Sequence, residues 1–204
     1  TLGNAKPLEA VETCLCMGAG ITMAQGAAVV DPDRVCVAFV GDSTFFASGM
    51  TGIANAVYNQ HNICVCVLDN STTAMTGKQP HPGTGVTLMG PESEPIDTEA
   101  VLTALGVKCI EHANPLYLEE SQAAVQRAID FDGPAAVIFQ SPCIQLVKPE
   151  PAAVVDADTC IGCRLCITRL GCPAMALTPE GKMEVDAASC FGCGLCVDVC
   201  PTND

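Results

Sequence analysis

Apolar positions along the first two thirds of the chain follow two alternating periods. Residues 35–40 and 63–68 are short, unbroken apolar runs rich in β-branched side chains, the pattern of strands buried on both faces. Between them Met50, Ile53, Ala54, Val57 and Tyr58 recur at the i, i+3, i+4, i+7, i+8 spacing of a helix with one buried face. Strand, helix, strand at this length predicts a βαβ unit with parallel strands and a right-handed crossover.

The alternation extends in both directions. Small residues over 21–29 predict a helix, as do residues 98–105, stopped by Gly106, and the amphipathic run 118–129; residues 107–111 and 134–140 predict strands. Residues 78–95, rich in Pro, Gly and Thr and without a period, predict a long loop that is either functional or disordered. The whole predicts a doubly wound, mostly parallel α/β domain over residues 1–147. Alternating prolines then break the pattern, so residues 148–151 read as an extended linker and residues 152–204 as a second, smaller domain.

Charge narrows the partners. The 204 residues carry 9 Lys+Arg against 23 Asp+Glu, a net charge of -14 that disfavours nucleic acid and anionic membrane surfaces. No run reaches the ~18 apolar residues of a membrane span, and the first ten residues lack the basic and apolar regions of a signal peptide. A cytoplasmic location is expected. Of the 15 cysteines, eight fall in two dense motifs near the C-terminus, and Cys36, Cys64, Cys66, Cys109 and Cys143 lie in or beside strand-like runs. Metal thiolates in a reducing compartment, with packing as the role of the strand cysteines, fit that distribution better than disulfides.

Two polar corners end the first two strands. Gly41-Asp42-Ser43 follows the first run, and 26 residues later Asn70 follows the second. In a parallel sheet, ligands gather beyond the carboxyl ends of the strands, where both corners fall. Gly41 lets the backbone approach a phosphate, and the amides opening the next helix favour negative charge. Asp42 offers a carboxylate oxygen and Asn70 an amide oxygen, hard donors that suit Mg²⁺ bridging a diphosphate. An ordinary βα turn is the plain alternative. His81, in the long loop, is the histidine nearest in sequence to this motif; holding a substrate carboxylate, moving a proton and a purely structural role all remain open. Gly18-Ala19-Gly20 lacks the later glycine and the preceding strand of a dinucleotide fingerprint, and Cys14 and Cys16 read as buried small hydrophobes rather than ligands.

The C-terminal cysteines form an internal repeat. Cys160-x2-Cys163-x2-Cys166-x5-Cys172-Pro173 is echoed, 30 residues on, by Cys190-x2-Cys193-x2-Cys196-x3-Cys200-Pro201. The second copy has the spacing of bacterial two-cluster ferredoxins, in which the fourth cysteine of each run ligates the other cluster. Cluster one is therefore expected on Cys160, Cys163, Cys166 and Cys200, and cluster two on Cys190, Cys193, Cys196 and Cys172. Residues 174–185 predict a hairpin between the copies, making the second domain a small α+β, ferredoxin-like two-[4Fe-4S] module. Structural zinc is the alternative, but it rarely uses paired triplets each followed by Cys-Pro.

Together, Gly41-Asp42-Ser43 with Asn70, the run Asp69-Asn70-Ser71-Thr72-Thr73-Ala74-Met75-Thr76-Gly77, then Gln79-Pro80-His81-Pro82-Gly83-Thr84-Gly85 and the cysteine repeat resemble the large subunit of indolepyruvate:ferredoxin oxidoreductases. Ser43 departs from the glycine usual at that place. The resemblance covers essentially the whole chain. It implies thiamine diphosphate, with Mg²⁺ held by the side chains of Asp42 and Asn70 and the carbonyl of Thr72, and with Met17, Gly18, Gly41, Ser43, Met75 and Thr76 about the cofactor. It implies oxidative decarboxylation of aryl 2-oxo acids, coenzyme A as acyl acceptor and ferredoxin as electron acceptor. It also implies that this chain is the C-terminal part of a large subunit, inactive alone. The remainder of that subunit would supply an activating glutamate, and a smaller partner subunit would complete the enzyme. Two other classes stand beside it: an electron-transfer or docking module without catalysis, and a thiamine-dependent decarboxylase without electron acceptors. Pyruvate is the alternative substrate.

Overall fold

A computed structural model describes residues 2–202. The chain divides into two compact units, one of residues 15–146 and the other of residues 147–204 together with residues 1–14. The sequence reading places the first fourteen residues with the α/β domain, whereas here they group with the C-terminal module. Beyond one short 3₁₀ turn (Leu2–Asn4) they offer the sheet no regular element to pair or pack. Leu8 instead lies against Gly171, where an added Cβ would come within 3.1 Å of its Cδ1.

In the larger unit the order is α1 (Ala19–Val30), β1 (Val37–Gly41), α2 (Asp42–Thr44), a π-helical turn (Phe45–Gly49), α3 (Met50–Asn59), β2 (Cys64–Asp69), α4 (Thr98–Leu105), β3 (Cys109–Ala113), α5 (Leu118–Asp130) and β4 (Ala135–Gln140). The strands make one parallel sheet in the order β1-β2-β4-β3. Because side chains alternate along a strand, β2 sends Val65 and Val67 into a core with Ile21 of α1, Ile53 of α3 and Leu102 of α4. Its Cys64 and Cys66 enter a second core with Ala124 and Ala128 of α5. Helices on both faces make the sheet doubly wound, as the alternation predicts.

The strand cysteines are packing residues: Cys36, Cys64 and Cys66 are buried, and Cys109 and Cys143 are half-buried. A hydrogen bond shared with Cys64, and then burial, raise the Cys66 thiol far above its ordinary range, so it stays protonated. Cys14 and Cys16 depart from expectation. Both are exposed, because they lie in an irregular stretch ahead of α1 that no strand draws into the core.

Two other boundaries move for local reasons. The third strand begins at Cys109 rather than residue 107, since the Val107 N–H still bonds the Leu102 carbonyl at 3.1 Å and closes α4 around the left-handed Gly106 (φ 98°). The helix after β1 starts directly at Asp42, well before the periodic apolar positions, and passes through the π-helical turn at Phe45–Gly49. That turn buries Phe45 and Phe46, packed edge to face at 5.0 Å beneath the start of the helix.

The smaller unit contains α6 (Leu165–Thr168), the antiparallel hairpin β5 (Met175–Leu177) and β6 (Met183–Val185), and α7 (Leu195–Asp198). The repeat is structural as well as sequential. Gly162 and Gly192 both have φ near 70° (68° and 74°), and Arg164 and Gly194 stand at 65° and 80° just before α6 and α7. Glu150 is not a free linker residue, because its N–H bonds the Phe191 carbonyl at 3.2 Å.

Candidate functional site

Paired β1 and β2 deliver the two corners side by side, with Gly41 opposite Leu68 at the ends of the strands. Asp42 follows immediately and is buried; Oδ1 accepts the Ser43 N–H at 2.7 Å and Oδ2 accepts the Asn70 N–H at 3.1 Å. One carboxylate thus ties the end of one strand to the loop after the next. Burial raises its carboxyl above the ordinary value, opposed by the Ser43 N–H and the nearby His81 ring.

The loop after β2 is wound by its own side chains. Asp69 Oδ1 accepts from Ser71 N at 2.9 Å, and Asn70 Oδ1 accepts from Thr72 N at 3.1 Å, which holds Ser71 left-handed (φ 62°). Thr72 is buried, and its carbonyl accepts from the Ala74 N–H at 3.0 Å. Thr73 Oγ1 donates to Ser43 Oγ at 2.8 Å. Ser43, where a glycine is usual in the motif, therefore has a structural use: its hydroxyl joins the two corners.

His81 belongs to the same cluster. Its ring stacks on Phe46 at 5.9 Å, Gly83 N–H donates to Nδ1 at 3.2 Å, and Nε2 lies 3.1 Å from Asp42 Oδ2 with both side chains 4% exposed. The Nε2 N–H does not point along that line, which leaves Nε2 buried without an aligned partner. Gly83 has to be small here, since a Cβ would come 3.0 Å from Phe46 and 3.2 Å from the His81 ring. The long loop of residues 78–95 is ordered by short turns, among them Thr84 N to His81 O at 2.9 Å and Ile96 N to Pro82 O at 2.9 Å.

The other candidates form a more open rim. Met17 is 64% exposed, and its carbonyl accepts from Ser48 Oγ at 3.3 Å; Gly18 beside it is left-handed (φ 89°), with Ser48 Oγ 2.3 Å from where a Cβ would be. Met75 and Thr76 sit on an exposed 3₁₀ turn (Ala74–Thr76), where Thr76 Oγ1 is 2.6 Å from Gln79 Oε1. The contacts join Asp42, Ser43, Asn70, Thr72 and His81 into one cluster; Met17, Gly18, Met75 and Thr76 flank it. Thr73, Phe46 and Gly83 were not foreseen from the sequence, although Gly83 two residues beyond His81 was a readable signal.

The arrangement fits a hydrated cation and a diphosphate. A Cβ on Gly41 would meet nothing within 4 Å, so there is open space beside the backbone next to the buried carboxylate. Among the described residues no three His, Cys, Asp or Glu side chains converge on a single ion. Asp42, Asn70 and Thr72 could offer one carboxylate, one amide and one carbonyl oxygen, a mixture that would suit Mg²⁺.

In the smaller unit Cys160, Cys163, Cys166 and Cys200 line one cavity of about 120 Å³, with Cys196 and the apolar walls Val155, Ile161 and Met183. Cys200 and Cys196 of the second copy thus line the same cavity as the first triplet. Burial raises the Cys196 thiol, and Cys193, Cys190 and Cys172 add to the shift. Each triplet is preceded by the same turn: Cys160 N bonds Asp156 O at 2.9 Å, and Cys190 N bonds Asp186 O at 3.0 Å. The repeated aspartate four residues ahead of each run was legible in the sequence and went unread. Gly162 and Gly192 let these loops cross other backbone, since a Cβ on either would meet a carbonyl oxygen at 2.6 Å, that of Gly181 or Pro151. The Lys182 ammonium donates to the Cys160 carbonyl.

Comparison with known proteins finds a family match in each part of the chain. Residues 3–139 match the thiamine pyrophosphate enzyme, C-terminal TPP binding domain, and residues 153–204 match the 4Fe-4S dicluster domain. Indolepyruvate oxidoreductase subunit IorA of Methanothermobacter thermautotrophicus is 41% identical over 178 residues, 86% of this chain and 28% of that subunit. The subunit of the same name from Archaeoglobus fulgidus is 37% identical over 181 residues, 86% of this chain and 29% of that subunit. The chain thus spans less than a third of the length of these relatives. Among solved structures, 2-oxoglutarate:ferredoxin oxidoreductase from Magnetococcus marinus has the same fold, with a TM-score of 0.56 at 19% identity over 86% of this chain and 65% of that one. With its parallel sheet, its buried carboxylate at the strand ends and its paired cysteine triplets, the chain belongs to the thiamine pyrophosphate enzymes through their C-terminal TPP-binding domain, joined to a 4Fe-4S dicluster domain.

Proposed function

We propose that this chain is the diphosphate-binding and electron-carrying part of a 2-oxo acid:ferredoxin oxidoreductase. It would act in the oxidative decarboxylation of aryl 2-oxo acids such as indolepyruvate to acyl-coenzyme A. The observation that carries this reading is that matches to a TPP binding domain and to a 4Fe-4S dicluster domain lie on one chain. A decarboxylase without electron acceptors would have no use for the clusters. The names of the relatives support the aryl substrate.

In this reading Asp42 and Asn70 hold Mg²⁺ with the Thr72 carbonyl, while Gly41 and Ser43 face the diphosphate and Met17, Gly18, Met75 and Thr76 border the cofactor. Thiamine diphosphate, when bound, supplies the carbanion chemistry; the chain's residues bind and orient it. The paired cysteine runs, Cys160, Cys163, Cys166 and Cys172 with Cys190, Cys193, Cys196 and Cys200, would hold two clusters, which when bound would supply one-electron transfer toward ferredoxin. The remainder of the large subunit and a smaller partner subunit complete the enzyme, which works in the cytoplasm. Among the described residues no helix is long and apolar enough to cross a membrane.

The test is anaerobic reduction of a dye by the full-length complex given indolepyruvate, phenylpyruvate, pyruvate or 2-oxoglutarate, with and without coenzyme A. Reduction that requires coenzyme A and is fastest with the aryl acids is expected. A preference for pyruvate would keep the chemistry and overturn the substrate, and no reduction with any acid would leave an electron-transfer module.

Gly41→Ala separates binding from folding. Its backbone is extended (φ -74°) and a Cβ there meets nothing, so the chain should fold as before, or gain ~0.4–1 kcal/mol from the stiffer unfolded state. Thiamine diphosphate affinity should fall, because the methyl occupies space that the diphosphate needs. Calorimetric titration alongside a thermal melt checks both.

A further inference from the structure

We propose that His81 is the positioning residue of Asp42: its Nε2 N–H fixes the rotation of the carboxylate and thereby sets the affinity of the site for its divalent cation. The inference rests on the reading of Asp42 as a cation ligand and concerns a residue that touches neither cation nor substrate in that role.

The tautomer follows from the contacts. Gly83 N–H donates to Nδ1, so Nδ1 is an acceptor, and the ring proton of a neutral His81 is on Nε2, 3.1 Å from Asp42 Oδ2. This excludes Nε2 as a metal ligand in that state and leaves its N–H beside the carboxylate, close enough to donate but not aligned with it. The ring has little freedom to serve elsewhere, since it is stacked on Phe46, closed over by Gly83 and 4% exposed.

Counting lone pairs shows what the contact does. A carboxylate has about four acceptor positions, two on each oxygen. Oδ2 faces two donors, Asn70 N and His81 Nε2, whereas Oδ1 accepts from Ser43 N, with the Asp69 carboxyl also beside the group. One position on Oδ1 is left for a cation. The Nε2 contact is the one donor of the three that is not aligned, and with the ring confined it is the carboxylate that has to turn to complete it. Hydrogen bonds of this kind tighten when a site is loaded. Partners that hold a ligating carboxylate change metal affinity by about 10- to 100-fold when removed.

The test measures Mn²⁺ binding by electron paramagnetic resonance in the full-length complex with thiamine diphosphate present, for wild type, His81→Leu, His81→Gln and Asp42→Ala. His81→Leu removes the donor and should weaken Mn²⁺ binding about 10- to 100-fold. His81→Gln puts an amide N–H near the place of Nε2 and should recover most of that loss. A merely structural histidine would lower the melting temperature of the metal-free protein in both variants alike and show no such recovery. Unchanged Mn²⁺ affinity in His81→Leu, or equal losses in Leu and Gln, overturns the inference. If His81→Leu keeps Mn²⁺ affinity but turns over more slowly, His81 acts on the substrate instead, and the inference also fails. Mn²⁺ binding that survives Asp42→Ala would overturn the reading of Asp42 itself, and the inference with it.

Discussion

Replacing Asp42 with alanine should abolish Mg²⁺-dependent binding of thiamine diphosphate while leaving the iron content of the complex unchanged. Among the described residues Asp42 is the carboxylate that hydrogen-bonds both strand-end corners, and removing it takes away the one charged donor of the proposed cation set. Second-shell losses cost metal sites about 10- to 100-fold, so loss of the ligand itself should exceed ~100-fold. The substitution has a structural cost too. Asn70 N and Ser43 N lose their acceptor, and each buried unsatisfied donor costs about 1–3 kcal/mol. The iron content is expected to hold because all eight cluster cysteines lie in the other compact unit. Asp42→Asn keeps one oxygen acceptor without the charge and should fall between wild type and alanine. Titration with thiamine diphosphate and Mg²⁺, beside iron analysis of the same samples, checks all three expectations.

The second large effect concerns which cysteines belong together. If the fourth thiolate of each cluster comes from the opposite copy, Cys172→Ala removes the cluster held by Cys190, Cys193 and Cys196 and spares the one in the cavity of Cys160, Cys163, Cys166 and Cys200. Iron should fall by half. Adding Cys190→Ala to it should cost nothing further, because both residues serve the same cluster. Adding Cys160→Ala should remove the remaining iron. Within-copy ligation predicts the reverse pattern, with Cys172 and Cys160 redundant. Iron and sulfide analysis of anaerobically purified complexes distinguishes the two.

Much of this was legible because the sequence elements are strongly patterned. The runs before Asp42 and Asn70 could only be buried strands, and the helical period between them fixed their parallel pairing, so the strand ends and the polar corners came together from the pattern alone. The cysteine repeat was legible because its ligands are spaced by local backbone geometry. Other features depend on contacts distant in sequence. Nothing in the local pattern placed His81 against Asp42, since the loop of residues 78–95 has no period and is fixed by turns and by Phe46 from the π-helical turn. The π-helical turn itself was hidden because it spans Phe45–Gly49, ahead of the periodic apolar positions, which begin only at Met50. Cys14 and Cys16 run against the usual burial of free cysteine because they lie in an irregular stretch ahead of α1 whose side chains stay exposed.

The most direct measurement is the visible absorption of the clusters when indolepyruvate and coenzyme A are added anaerobically to the full-length complex, for wild type and Asp42→Ala, with dithionite added afterwards. The account predicts that substrate bleaches the clusters in wild type and leaves them oxidised in Asp42→Ala, while dithionite bleaches both. Bleaching by substrate in Asp42→Ala, or none in a wild type whose clusters respond to dithionite, would contradict the link between the carboxylate cradle and the clusters.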